Sequence, residues 1–313
     1  MKTCLIIDLM HESIIPLLQQ IGWQVEYRPE IKREEILKSI HQYQGLIVRS
    51  KTNIDKKIID RAAKLEWIGR AGAGLDQLDV EALEARNIRI VNAPEGNRDA
   101  LAEHAIAILL GLFNKVHLAD CQIRQGNWDR EGNRGVELIG KTVGIIGYGF
   151  MGQAFARRLQ GFGVEVLAYD KYKTHYGDAF AQEASMEEIY QKADILSLHV
   201  PLTEETRFML DHAYLQKFRK NIYLLNTARG KNISFKTLVE ALESGKLKGA
   251  ALDVLENEKI KQFTPEQQHY FDLLIQHDNV IFTPHVGGWT YESYEKINQT
   301  LVAKIRSLNA NTL

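Results

Sequence analysis

Cysteine is nearly absent from this 313-residue chain: Cys4 and Cys121 are the two present, with no C-x-x-C pair and no His-x-x-x-His spacing. That argues against a disulfide framework and a structural zinc centre, so no metal is expected. Proline is scarce, six in all, and no proline-rich linker or low-complexity tract marks a domain boundary. Long apolar runs are also missing. The longest, AIAILLGLF at 105–113, falls well short of the ~18 residues that a membrane span requires. At the N-terminus, Asp8 interrupts MKTCLIIDLM after four apolar residues, too early for a secretory signal, so export is not expected. Neither sign of charge dominates. Thirty-nine basic against forty acidic residues leave a formal charge of -1, and no broad basic field invites nucleic acid or anionic lipid. The expectation is a cytoplasmic protein with small-molecule partners, no nucleic acid and no membrane.

What is present is a 45% hydrophobic share, ample for well-formed cores, over a length that suggests roughly two domains. Short β-rich runs at 5–8, 45–48, 67–70 and 88–92 alternate with amphipathic stretches. A helical pattern then runs from Arg98 to about Gln125, ~40 Å at the standard rise. A second alternating set follows: KTVGIIG, VEVLAYD, ADILSLHV, NIYLLNT, GAALDV and NVIFTPH. Strands alternating with helices predict parallel sheets covered on both faces. The reading is two α/β domains joined by one long helix.

The second set opens with KTVGIIGYGFMGQAFARRLQGFGVEVLAYD. Gly147, Gly149 and Gly152 form G-x-G-x-x-G directly after an apolar strand and at the start of an amphipathic helix. Asp170 closes the next strand. The first glycine permits a tight turn, the second lets backbone approach a pyrophosphate, and the third lets helix pack on strand, while the helix N-terminus attracts the anion. Strand, helix and acid at these offsets predict dinucleotide binding. The Asp170 carboxylate would take the adenosine ribose hydroxyls and repel a 2′-phosphate, which favours NAD over NADP; Lys171 beside it softens the preference.

A nicotinamide cofactor requires a partner for the proton that accompanies hydride, a group titrating near neutrality. Two of ten histidines stand at strand ends, His199 before Val200 and Pro201, and His285 after IFTP. Ligands gather at the carboxyl ends of strands in an open parallel sheet, so both qualify. His104 lies on the long helix and reads equally well as core. Arg229, in NTARG at another strand end, would present a planar two-pronged donor to a carboxylate or carbonyl. ALDVLENE supplies Asp253, Glu256 and Glu258, and spacing alone does not choose which glutamate supports a histidine.

Together the motifs LIVRSKTNID, WIGRAGAGLDQLDV, VNAPEGN, GKTVGIIGYGFMG, LHVPLTEET, NTARG, GAALDVLENE and TPHVGG cover nearly the whole chain. They resemble the NAD-dependent D-2-hydroxyacid dehydrogenases, especially the phosphoglycerate dehydrogenase branch. The resemblance implies a catalytic set of Arg229, Glu258 and His285. It implies cofactor contacts at Gly147, Gly149, Phe150, Met151, Gly152, Asp170, Val200, Thr227, Ala228, Arg229, Asp253, His285, Gly287 and Gly288. Substrate contacts fall on Arg49, Gly72, Ala73, Asn97 and Arg229. The implied fold is a flavodoxin-like substrate domain, discontinuous at 1–97 plus 286–313, and a Rossmann NAD-binding domain at 98–285, with a cleft between them. Relatives are mostly dimers, so a homodimer is expected.

Three positions depart from the family pattern. Lys259 follows the glutamate where proline is usual and the segment 260–279 looks longer, Ala73 replaces a frequent threonine, and Trp289 stands where a small residue is typical, which would narrow the pocket near His285. No regulatory domain is expected beyond this chain, nor serine feedback through one. The leading expectation is a 3-phosphoglycerate dehydrogenase-like enzyme of serine biosynthesis. Glyoxylate or hydroxypyruvate reduction and a non-enzymatic NAD-sensing corepressor role are the alternatives. Formate dehydrogenase, whose reaction releases no hydroxyl proton, is disfavoured by a carboxylate at Glu258.

Overall fold

The computed structural model describes residues 2–310, and its strands sort into two all-parallel sheets. One unit comprises Met1–Arg98 with Trp289–Leu313, the other Asp99–Gly288.

In the first unit β1 (Thr3–Ile6), β2 (Gln24–Tyr27), β3 (Gly45–Val48), β4 (Trp67–Arg70) and β5 (Arg89–Asn92) pair in the order β2-β1-β3-β4-β5. Successive side chains point to opposite faces, so Leu5, Leu46, Val48 and Ile68 join one core, and Cys4, Ile6, Ile47 and Trp67 the other. The second core is closed by Ile297, Leu301 and Ile305 of helix Tyr291–Ala310. Strand β2 is absent from the sequence reading. Its four residues, QVEY, form an edge with no fully buried position, so no apolar run announces it.

The second unit contains β6 (Thr142–Ile146), β7 (Glu165–Tyr169), β8 (Gln182–Glu183), β9 (Ile195–Leu198), β10 (Ile222–Asn226), β11 (Leu247–Leu252) and β12 (Val280–Phe282), ordered β12-β11-β10-β9-β6-β7-β8. Strand order reverses beside β6, between β7 and β9, the switch point at which doubly wound sheets bind ligands. Leu196, Leu198, Leu224 and Leu252 face one core, and Val143, Ile145, Ile195 and Leu225 the other.

The single helix expected from Arg98 to about Gln125 is two helices, Pro94–Phe113 and Val116–Arg124, bent by 64°. Lys115 adopts a left-handed conformation, φ 52°. The Asn114 side-chain amide turns back to donate to the Leu110 carbonyl at 3.1 Å, the local competition that makes asparagine a helix breaker. Strand β11 ends at Leu252, not Val254, so Asp253 already stands beyond the sheet. Among the described residues no single helix is long and apolar enough to cross a membrane.

Candidate functional site

Strand β6 feeds the glycine loop, and helix Phe150–Leu159 begins at once, with Gly149 as its N-cap. Gly147 has φ 93°, and a Cβ there would lie 2.6 Å from the His199 carbonyl oxygen. Only glycine suits a backbone so turned and so crowded. At Gly152 a Cβ would lie 2.2 Å from the Gly147 oxygen, whereas at Gly149 it would meet nothing within 4 Å. The first helical turn carries no acidic residue, which leaves the positive end of the dipole uncancelled. Phe150 is exposed and Met151 partly buried beside it.

Asp170 follows β7 directly. Its Oδ2 accepts from the Tyr148 amide at 2.9 Å and its Oδ1 from the Tyr172 amide at 3.0 Å, so the glycine loop itself orients the carboxylate. Val200 lies just beyond β9, and Thr227 and Ala228 just beyond β10. The Thr227 hydroxyl is buried with no hydrogen-bond partner, an unusual and costly state that a bound polar group would relieve. A glycine with an open flank, a helix start free of acid, an oriented aspartate and an orphaned hydroxyl, all at carboxyl ends of parallel strands, fit a dinucleotide.

His285 stands three residues past β12. Its Nδ1 lies 2.8 Å from Glu258 Oε1, with both side chains about half exposed. The hydrogen bond that Glu258 accepts from His285 raises the imidazole pKa above its ordinary value; burial opposes this, the Glu258 and Asp253 charges add to it, and the Arg229 charge subtracts. Arg229 thus acts on the same imidazole. Just beyond β10, its Nη1 donates to the Ala228 carbonyl at 2.7 Å and its backbone amide to Asn232 Oδ1 at 3.1 Å. The choice between glutamates is made by packing. Glu256 accepts from the Phe235 amide at 2.7 Å and from Gln267 at 3.1 Å, while Glu258 meets the histidine.

His199, which also stands just past a strand end, is placed differently from His285. Its Nε2 lies 2.8 Å from Ser197 Oγ and its ring packs on Phe155. Burial holds its pKa down to about 3, so the ring stays neutral at physiological pH.

The backbone of His285 is left-handed, φ 54°, a conformation that costs a non-glycine residue about 1–3 kcal/mol and persists only when its surroundings enforce it. Asp253 enforces it. The Asp253 carbonyl accepts from the His285 amide at 2.8 Å. Its carboxylate accepts from the Thr283 hydroxyl at 2.6 Å, the Val286 amide at 2.9 Å and the Gly287 amide at 2.8 Å. Burial alone would raise the pKa of Asp253, but hydrogen bonds from His104, Thr283, Val286 and Gly287 hold it below the usual carboxylate range. His104, left undecided by the sequence, lies with Nε2 2.9 Å from Thr283 Oγ1 and 3.3 Å from Asp253 Oδ1. No local pattern could have found a contact 179 positions away.

In the first unit, the Arg49 guanidinium lies 3.6 Å from the Trp289 ring centroid and 4.9 Å from that of Tyr294. Burial lowers its pKa, opposed by Tyr294 and Asp8. Gly72 has φ 138° with the Arg70 guanidinium against it. The Ala73 carbonyl accepts from Asn92 Nδ2 at 2.8 Å, and Asn97 Oδ1 is buried without a hydrogen-bond partner.

Known proteins resemble this chain in sequence and fold. Residues 106–287 match the family model described as D-isomer specific 2-hydroxyacid dehydrogenase, NAD binding domain. D-3-phosphoglycerate dehydrogenase of Methanocaldococcus jannaschii is 37% identical over 307 residues, 97% of this chain and 56% of that protein. The chain thus spans about half the length of such curated relatives. Hydroxypyruvate reductase of Thermotoga maritima is 34% identical over 275 residues, 88% of each protein. The solved glyoxylate reductase from Paecilomyes thermophila superposes with a TM-score of 0.86 at 28% identity, covering 98% of this chain and 94% of that one. With its switch-point glycine loop, its histidine–glutamate pair and these relatives, the chain belongs to the D-isomer specific 2-hydroxyacid dehydrogenase family.

Proposed function

We propose that the protein is an NAD-dependent oxidoreductase that interconverts a D-2-hydroxy acid and the corresponding 2-oxo acid. The observation that carries this reading is the 2.8 Å contact between His285 Nδ1 and Glu258 Oε1, because it fixes the tautomer and turns Nε2 toward proton exchange. Bound NAD would supply the acceptor for the hydride that leaves C2. His285 Nε2 takes the hydroxyl proton, and Glu258 steadies the imidazolium that results. Arg229 holds the substrate carboxylate and the oxygen that becomes the carbonyl. In reduction the same imidazolium returns the proton. The cofactor residues are the glycine loop with Phe150 and Met151, together with Asp170, Val200, Thr227, Ala228, Asp253 and the loop His285 to Gly288. Arg49, Gly72, Ala73 and Asn97 are assigned to the substrate on the family pattern.

For the substrate we favour 3-phosphoglycerate, on the 37% identity to a D-3-phosphoglycerate dehydrogenase. Reduction of hydroxypyruvate or glyoxylate is the second reading, favoured by a relative named hydroxypyruvate reductase that matches over 88% of both chains. A homodimer and a place in serine biosynthesis belong to the first reading.

His285→Ala should lower turnover by at least ~10²-fold, the usual scale for a positioned acid or base; near-normal turnover would remove His285 from the mechanism. NADH oxidation with phosphohydroxypyruvate, hydroxypyruvate, glyoxylate and 2-oxoglutarate chooses the substrate. Tight NADH binding without turnover of any 2-oxo acid would replace the enzyme by a cofactor sensor.

A further inference from the structure

The loop that carries His285 is held from outside by a side chain that the reaction does not require. Thr283 Oγ1 gives its proton to Asp253 Oδ1 at 2.6 Å, so at 2.9 Å its oxygen accepts from His104 Nε2–H. That order of donation fixes the His104 tautomer with its proton on Nε2. The same nitrogen lies 3.3 Å from Asp253 Oδ1. His104 also reaches the far end of the loop, since a Cβ at Gly287 would stand 3.3 Å from His104 Cδ2 and 2.9 Å from Asp253 Oδ2. One imidazole therefore hydrogen-bonds the start of the segment 283–287 and occupies the space beside its end, where a side chain on residue 287 would stand; the centre of the segment is the left-handed His285. Its support is rigid: Ala102, Ala105 and Leu109, on the same helix, are buried in the core.

We propose that His104 is a positioning residue. By donating to Thr283 it orients the Thr283 hydroxyl onto Asp253, and by packing on Gly287 it closes the grip of Asp253 on the loop, which keeps His285 against Glu258. The groups acting on the His285 ring are Glu258, Asp253 and Arg229; His104 acts through the backbone and not by its own charge. This inference rests on the proton-transfer role given to His285, but its first test needs no turnover.

His104→Phe keeps the ring and removes the donor, whereas His104→Gln places an amide N–H near the Nε2 position. Histidine titration by NMR in the protein without cofactor, with the His285 signal assigned by its loss in His285→Ala, reads the loop directly. In the parent protein His285 titrates above the ordinary histidine value. In His104→Phe it falls toward that value, and in His104→Gln it stays raised. Turnover number falls about tenfold in His104→Phe, with a smaller change in KM for the 2-oxo acid, and returns to within about threefold of the parent in His104→Gln. An unchanged His285 titration in His104→Phe overturns the proposal, as does a glutamine variant impaired as much as phenylalanine. If His104→Phe fails to fold, Thr283→Val must lower the His285 titration in the same way, and its failure to do so overturns the proposal. Should His285→Ala prove active, the proposed function falls while the NMR titration still decides the role of His104.

Discussion

Exchanging Gly149 and Gly152 for alanine, one at a time, separates what the glycine loop does for the fold from what it does for a ligand. A Cβ on Gly152 would lie 2.2 Å from the backbone oxygen of Gly147, 0.8 Å inside the 3.0 Å floor that real Cβ contacts respect. Neither partner is the end of a flexible side chain, so helix and turn must separate. Overpacking of this kind costs about 1–3 kcal/mol, and each kcal/mol lowers Tm by about 2–4 °C in a domain of this size. Gly149 has φ -84° and ψ -158°, extended backbone that alanine adopts without strain, and no atom lies within 4 Å of its Cβ position. Its substitution should change stability by less than ~0.5 kcal/mol. The methyl would instead enter the open space assigned, in the proposed function, to the cofactor pyrophosphate. Losing one hydrogen bond to a charged group costs about 1.5–3 kcal/mol, so NADH should bind roughly 10- to 150-fold more weakly. Thermal melting followed by NADH fluorescence titration measures both quantities on each variant. Parent-like NADH affinity in Gly149→Ala, or an unchanged Tm in Gly152→Ala, would refute the division of labour.

Two further expectations concern the histidine–glutamate pair. Glu258→Gln removes the main cause of the raised His285 pKa, so in 2-oxo acid reduction, where the proposed role of His285 requires it protonated, the high-pH limb of the kcat/KM profile should move to lower pH. Any stabilisation from the pair is fully present below the unfolded histidine pKa and fades as pH rises through the higher folded value, so the variant's Tm should approach the parent's on the alkaline side. An unmoved profile, measured across pH 5 to 10, would detach Glu258 from His285. Gly230→Ala would put a Cβ 1.8 Å from the Leu255 carbonyl oxygen, wedging the loop of Arg229 away from the segment that leads to Glu258. A misplacement of ~1 Å at such a site costs about 10²-fold, so kcat/KM should fall by that order, together with Tm; unimpaired kinetics would show that the two loops need not touch.

The glycine loop and its acid were legible because their spacing is dictated locally, by one turn and one helix start. Six of the seven strands of the second sheet were legible because they are buried and read as apolar runs, such as IYLLN; β8, two exposed residues, Gln182–Glu183, was not. Strand β2 lacked that signature, being a polar edge. The break at Lys115 was hidden because VHLADCQIR continues a helix-compatible pattern beyond it; only the backbone reveals the change of direction. At the site, spacing offered two histidines and two glutamates of equal standing. Burial separated His199 from His285, and the packing of Gln267 and Phe235 claimed Glu256. The family pattern had already favoured Glu258 and His285, for reasons that lie in long-range contacts and not in the local chain. His104 shows the limit most clearly, since its partners Asp253 and Thr283 belong to segments that only the folded sheet brings to its side.

The ends of the seven-stranded sheet bear on how the protein behaves when crowded. Its outermost strands, β8 and β12, are two and three residues long. An unpaired sheet margin is a template on which another chain can add a strand, and its hazard grows with its length. Margins this brief offer few free backbone positions on which another chain could add a strand.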